Sequence, residues 1–396
     1  MNTKMGIAIF IILGLYILLC YYIGAKGRKI VCNNNKTKFK HKLYSFVYWL
    51  IYWIIALAFI LSNILRGLLT TDNWITSIFT LIGSTYLGVF FYSILIFLVV
   101  DILRFILKKI NLKISIKDTL KKIYFNGISV FIIVFILIGF GAWNAQNKVV
   151  TNYEVNIDKD AGEITSLNVV MISDVHMGIA IKENAINKMV NSINELNPDI
   201  VLFCGDIFDE STSTKLKKYS DEIFKNIKSK YGVYDITGNH EYNAGDLSET
   251  ISYFKDANIK FLQDEPIKVA DSFYVVGRND PANKRVTGED VKPLSDIMKD
   301  VDKSLPIIVL NHRPESLKEA ETEGVDLQLS GHTHNGQIFP GNLVTNYLNE
   351  KSYGYLKKDN FNLIVSSGYG TWGPPIRVGS KSEIVNIRVN FRENFK

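Results

Sequence analysis

Hydrophobic residues are distributed in two different ways along this chain. Up to about residue 145 they form four long runs; beyond it they form short runs separated by polar segments. The long runs cover roughly 5–25, 43–65, 75–100 and 126–143, and none contains an internal Asp, Glu, Lys or Arg. Each is close to the ~20 residues that cross ~30 Å of hydrocarbon as a helix. The pattern therefore predicts an all-α bundle of four transmembrane helices over residues 1–150. Uncharged spans offer no intramembrane group for an ion or proton pathway, which argues against a transporter. The first run is too long for the core of a signal peptide and has no small-residue cleavage site.

The short runs lie at 167–173, 199–205, 232–238, 273–277, 305–311, 325–331, 361–368 and 383–391. Several are nearly continuous Val, Ile and Leu, the pattern of strands buried on both faces. Segments 182–196 and 214–229 repeat apolar residues at helical spacing. Residues 151–396 thus read as a layered α/β domain.

Charge refines this division. The net charge of +6 combines 17 Lys and Arg against 3 acids in residues 1–150 with 28 against 36 in residues 151–396. The basic excess sits between apolar runs: connections 26–42 and 101–125 each hold seven Lys or Arg. The positive-inside rule places both in the cytoplasm, and hence both termini and the α/β domain outside, on a multi-pass protein of the cell membrane. Trp49, Trp53, Trp74 and Trp143 fall near span ends, as interfacial aromatics do. The acidic second part gives no reason to expect nucleic acid as a partner. Cys20, Cys32 and Cys204 have no metal or disulfide spacing and read as small apolar fillers.

The chemistry lies at the ends of the short runs. "VVMIS" leads into Asp174 and His176, "VLFCG" into Asp206 and Asp209, and "YDITG" into Asn239, His240 and Glu241; "IIVL" leads into Asn311 and His312, and "LQLSG" into His332 and His334. Ligand sites of open α/β sheets collect outside the carboxyl ends of strands. Imidazoles, carboxylates and an amide without thiolate suit Mn, Fe or Zn and exclude a Cys-rich structural zinc site. There are too many donors for one ion. Two divalent ions ~3.5–4 Å apart, sharing a carboxylate, would use the set.

With these residues the chain resembles the calcineurin-like metallophosphoesterases: D-x-H at Asp174–His176, G-D-x-x-D at Gly205–Asp209, G-N-H-[DE] at Gly238–Glu241, a lone His at His312 and G-H-x-H at Gly331–His334. The forms "NHRPE", "GHTHNGQIFPG" and "GYGTWGPPIRVG" are similar to its membrane-associated YkuE-like branch, in which Gly is more usual at Asn335; Asn also tolerates a left-handed turn. The resemblance covers roughly 165–380 and implies a four-layer αββα sandwich. It implies one metal on Asp174, His176, Asp206 and His334, and a second on Asp206, Asn239, His312 and His332, with Asp206 bridging. It implies that His240 meets the phosphate and the leaving oxygen, with Asp209 either orienting it or serving only as a helix cap. A phosphoester substrate follows, in this branch sometimes a lipid-linked phosphate or pyrophosphate. Two alternatives remain at this level. One is a phosphomonoesterase or diesterase acting on soluble substrates outside the cell. The other is a non-catalytic membrane sensor, whose mark would be a missing ligand; none is missing. Segments 338–348 and 369–375 supply Phe, Leu, Tyr and Trp that form either a rim dipping into lipid or part of the core.

Overall fold

The computed structural model describes residues 3–32, 38–69, 73–109, 127–178, 180–243 and 247–392. The chain divides into two compact units, Met1–Gly141 and Ala142–Lys396.

The first unit contains α1 (Thr3–Cys32), α2 (Lys38–Leu68), α3 (Trp74–Lys109) and the beginning of α4 (Ile128–Gln146). All four helices are long and apolar enough to cross a membrane. The first three extend past their apolar runs into the flanking basic residues, since Lys and Arg are good helix formers. Close packing comes from small residues: a Cβ on Gly83 would lie 2.2 Å from the Phe59 nitrogen, so α2 and α3 approach backbone to backbone. Tyrosines tie helices together, Tyr16 donating to the Ala56 carbonyl (2.6 Å) and Tyr52 to that of Cys20 (2.6 Å). Residues 33–37 and 110–126, which include much of the two basic connections, lie outside the described residues.

The second unit begins with β1 (Val149–Ile157) and β2 (Ser166–Ile172). It continues through α5 (Glu183–Glu195), β3 (Ile200–Phe203), α6 (Thr214–Phe224), β4 (Val233–Ile236), α7 (Leu247–Asp256), β5 (Ile259–Leu262), β6 (Glu265–Val269) and β7 (Phe273–Gly277). After β7 come β8 (Ile307–Leu310), α8 (Leu317–Glu323), β9 (Leu327–Ser330), α9 (Gly341–Leu348), β10 (Gly354–Lys358), β11 (Phe361–Val365) and β12 (Glu383–Phe391). Two six-stranded sheets result, in the orders β1-β12-β2-β3-β4-β5 and β10-β11-β9-β8-β7-β6. Strands β2 to β5 are parallel, as are β7, β8, β9 and β11.

Every residue of β3, β4, β8, β9 and β11 is buried, because the sheets are covered on both faces. Leu167, Val169, Leu202 and Ile236 of one sheet meet Val275, Ile308, Leu329 and Ile364 of the other in the central layer. Helix α5 buries Ile186, Met189, Val190 and Ile193 against the outer face of the first sheet. Leu317 and Ala320 of α8 cover the second. This is the four-layer αββα sandwich.

All eight strands expected from the apolar runs are present. The structure adds four more, β1, β5, β6 and β10, and these are the four sheet edges. Helix α6, capped by the Ser213 hydroxyl accepting from the Leu216 amide (3.2 Å), stops at Phe224, short of the expected 229. The chain turns there through Asn226 and Ile227 amides that donate to Ile223 and Phe224.

Candidate metal centre

The parallel strands β2, β3 and β4 of one sheet and β8 and β9 of the other deliver their carboxyl ends to one place. Each then releases its ligand-bearing residues in a tight turn. Asp174, His176, Asp206, His332 and His334 all have left-handed backbone, with φ between 47° and 70°. Non-glycine residues rarely adopt this conformation, and it concentrates at functional sites where the surroundings enforce it. Here the enforcement is a ladder across turns: Asp174 N–H donates to the Gly205 carbonyl, His176 N–H to that of Asp206, and Gly331 N–H to that of His312. The motif glycines make room for carboxylates. A Cβ on Gly331 would lie 2.2 Å from Asp174 Oδ2, and one on Gly238 2.2 Å from Asp206 Oδ1.

All seven expected ligands, together with His240, converge. Donor atoms of Asp174, His176 and His334 lie within 4.8 Å of one another, as do those of Asp206, His312 and His332. Asp206 faces both groups: Oδ2 is 3.8 Å from His176 Nε2 and 3.1 Å from His312 Nε2, while Oδ1 accepts from the His240 amide (2.8 Å). A third grouping joins His176, Asp206 and His240. His332 N–H donates to both oxygens of Asp174, 3.0 and 3.1 Å away.

These residues fit a pair of cations. Asn239 Oδ1, His312 Nε2 and His332 Nδ1 are buried with no hydrogen-bond partner. A buried polar atom left unpaired costs ~1–3 kcal/mol, so three among these residues mark a site built for another ligand. At His312 the tautomer is fixed for this purpose. Nδ1 donates to the Cys204 carbonyl (2.7 Å), which turns Nε2 toward Asp206 and makes it the atom a cation would take.

Electrostatics support the same use. Burial lowers the His176 pKa to about 3, against the opposing pull of Asp206. Burial, then His312 and Arg313, lower that of His332 to about 4. Both imidazoles are therefore neutral donors. Asp206 and His312 form a charged pair: burial by itself would raise the Asp206 carboxyl, but His312 outweighs it and holds it well below the usual range, while burial lowers the His312 imidazole and Asp206 outweighs that and holds it well above, so the proton between them is the charge a cation would replace. His240 is different. Burial depresses its pKa, yet the Glu210 hydrogen bond and the Asp206 charge prevail and raise it to about 9.

Asp209 does not orient His240. Its Oδ1 accepts from the amide (2.7 Å) and hydroxyl (2.6 Å) of Ser211, as in a loop cap, and His240 Nδ1 instead meets Glu210 Oε2 at 3.2 Å. The spacing of "GDIFDE" favours Asp209 only by analogy; the turn at Asp209 swings the next side chain inward.

Two further residues have structural roles that the sequence does not reveal. Buried Glu241 accepts from the amides of Asp206 (2.9 Å), Ile207 (2.7 Å), Phe208 (3.2 Å) and Gly238 (2.7 Å), clamping two ligand turns together. Fully buried Arg377 donates to the carbonyls of Ser367 (2.6 Å), Gly368 (3.2 Å) and Gly370 (2.7 Å), and through Nη2 to His334 Nδ1 (3.2 Å). The only signal for it was a cation in the apolar "PPIRVG". Arg313, beside His312, is held in a two-pronged contact with buried Asp280 (2.6 and 3.0 Å).

A cavity of about 380 Å³ opens over the centre, lined by Asp206, Asn239, His240, His332, His334 and Trp372 among others.

Residues 167–336 match the family described as calcineurin-like phosphoesterase. The chain is similar to a transmembrane protein with metallophosphoesterase domain from Danio rerio, 30% identical over 275 residues, or 65% of this chain and 61% of that protein. It is 33% identical over 227 residues to an uncharacterized metallophosphoesterase of Helicobacter pylori strain J99, covering 56% and 60% of the two. It is 24% identical over 232 residues to the uncharacterized metallophosphoesterase YkuE of Bacillus subtilis, covering 54% and 76%. The chain thus spans about 60% of the length of the first two relatives. The part of the α/β unit that matches the calcineurin-like phosphoesterase family follows four membrane-length helices in the chain.

Proposed function

We propose that this domain is a dinuclear-metal phosphoesterase, held at the extracytoplasmic face of a membrane, that hydrolyses a phosphoester or pyrophosphate bond on a lipid or lipid-linked sugar. The observation carrying the reading is Asp206 facing two ligand groups, with three unpartnered buried donor atoms of Asn239, His312 and His332 beside it, beneath an open cavity.

Asp174, His176, Asp206 and His334 would hold one divalent ion, and Asp206, Asn239, His312 and His332 the other; Mn, Fe or Zn suits these donors. When bound, such a pair acidifies water and neutralises charge on a phosphoryl group. The chain's own residues do the rest. His240 lines the cavity with Glu210 behind it. In its protonated form it donates to a phosphoryl oxygen and passes a proton to the departing oxygen. Glu210 keeps that proton on the imidazole and fixes the ring's orientation. Glu241 and Arg377 hold the ligand turns in their left-handed conformations, so no reorganisation is needed when substrate arrives.

Membrane attachment supports a lipid-borne substrate, and seven Lys or Arg in each of two connections support an outside location for the domain. The decisive experiment is metal analysis of the purified full chain, combined with rates on a panel of lipid phosphates and a soluble chromogenic phosphodiester. About two equivalents of metal with preference for the lipid substrates is the expected result. Preference for the soluble diester would move the substrate into solution, and a chain without bound metal or turnover would leave only a ligand-binding domain.

A further inference from the structure

Helix α9 follows directly from the last two metal-ligand histidines, and none of its residues is buried. Its sequence, GNLVTNYL, has no charge. Leu343, Val344, Tyr347 and Leu348 are between 57% and 88% exposed, Phe339 precedes them half-exposed, and Trp372 is 55% exposed. An amphipathic helix on a water-soluble domain hides its apolar residues against the core. This one presents them outward. Contiguous apolar surface mixing Trp and Tyr with aliphatic residues is the composition of a bilayer interface.

The patch is built into the mouth of the metal centre. Gln337 joins the two segments: Nε2 donates to the Trp372 (2.9 Å) and Pro374 (3.0 Å) carbonyls, and Oε1 accepts from the Trp372 amide (2.9 Å). Phe339 N–H donates to the Val378 carbonyl (2.7 Å), and Val378 N–H to that of Gln337 (2.9 Å). Trp372 also lines the cavity, its ring 5.6 Å from that of His240. One indole therefore belongs to both the exposed patch and the site.

We propose that α9, Phe339 and Trp372 form a membrane-seating surface that presses the mouth of the metal centre onto the bilayer this chain spans. The chain itself identifies the occupant. The last apolar helix ends at Gln146 and β1 starts at Val149, so the domain begins at the boundary between hydrocarbon and water. In that position a lipid surface is always within reach, and an uncharged apolar helix gains by entering it. Seating would deliver a headgroup phosphate to His240 without lifting the lipid out of the membrane. This deepens the reading of a lipid-borne substrate and rests on it for that step only.

The test places an environment-sensitive fluorophore on Leu343→Cys, Tyr347→Cys and, as control, Lys318→Cys of the full chain. Lys318 is 85% exposed on α8, and the three natural cysteines are buried. The protein is held in nanodiscs of equal parts phosphatidylcholine and phosphatidylglycerol carrying spin-labelled acyl chains. Quenching at 343 and 347 by at least about twofold relative to 318 is expected. Equal quenching at all three positions overturns the proposal. So does Tyr347→Cys pairing with itself across two copies without lipid quenching, which would make the patch a dimer interface. The double variant Leu343→Asp, Tyr347→Asp should keep its rate on a soluble chromogenic phosphodiester and lose about tenfold on lipid phosphate in vesicles. Quenching without lipid hydrolysis by the wild type would retain the seat and remove the lipid substrate.

Discussion

His240 is paired with Glu210: its Nδ1 lies 3.2 Å from Glu210 Oε2, and the neighbouring Asp209 is occupied with Ser211. This contact leaves Nε2 as the atom available to substrate. It also leaves a carboxylate, rather than a metal, as the immediate partner of the imidazole.

Replacing Glu210 by Gln should lower kcat by ~10–100-fold with bound metal unchanged, because it removes a partner that orients and charges the ring. Asp209→Asn should instead loosen the 209–212 turn and leave kcat within about threefold, since its oxygens serve backbone and Ser211. Steady-state kinetics with metal analysis on the same preparations compares the two. Equal losses of kcat would return the orienting role to Asp209.

His240→Ala should lower turnover by roughly 10²–10⁴-fold while both metals stay bound. Loss of metal along with activity would make His240 a ligand, as its place in the group with His176 and Asp206 allows.

Asp206→Asn should lose most of both ions, because its Oδ2 faces both ligand groups. His334→Ala touches one group only and should lower metal content to about one equivalent. Titration of the metal-free full chain with Mn, followed by its thermal stabilisation, measures this without relying on turnover. Retention of both ions by Asp206→Asn would contradict the bridging assignment.

Arg377→Met should destabilise the domain by ~3 kcal/mol, since it strands the buried Ser367 and Gly370 carbonyls that accept from the guanidinium. Arg377→Lys should recover little, a single ammonium being unable to match the planar fork. A denaturation midpoint close to wild type for Arg377→Met would show that water can take over.

Lys148 supplies a pH dependence away from the metal ligands. Burial, then Arg377 and Lys188, lower its pKa from 10.5 to about 8; its Nζ donates to the Ala145 carbonyl and sits 5.2 Å from the Tyr369 ring centroid. Below about pH 8 both folded and unfolded chains carry the proton and the burial penalty is fully felt. Between about 8 and 10.5 the unfolded chain binds more protons, so the domain becomes more stable as pH rises. Lys148→Met should flatten this rise in a series of thermal midpoints. Parallel curves for the two proteins would place the titration elsewhere.

What the residues by themselves determined was the four membrane-length helices, the eight interior strands and the set of polar positions that the fold brings together. Continuous apolar runs report burial on both faces, and polar donors placed just past such runs report a strand-end site. The four strands left to the structure, β1, β5, β6 and β10, are the edges of the two sheets. An edge strand is half exposed and takes its pairing from a neighbour, so no apolar run announces it. The same limit applied to the site. Ligand types are local and readable, whereas Glu210 in place of Asp209, the clamp of Glu241 and the reach of Arg377 across Ser367–Gly370 depend on which way a turn throws its side chain. That direction is set by contacts between segments far apart in the chain. The apolar segment 338–348 was open to either core or rim, and only the packed domain, in which no residue of α9 is buried among the described residues, put it on the surface.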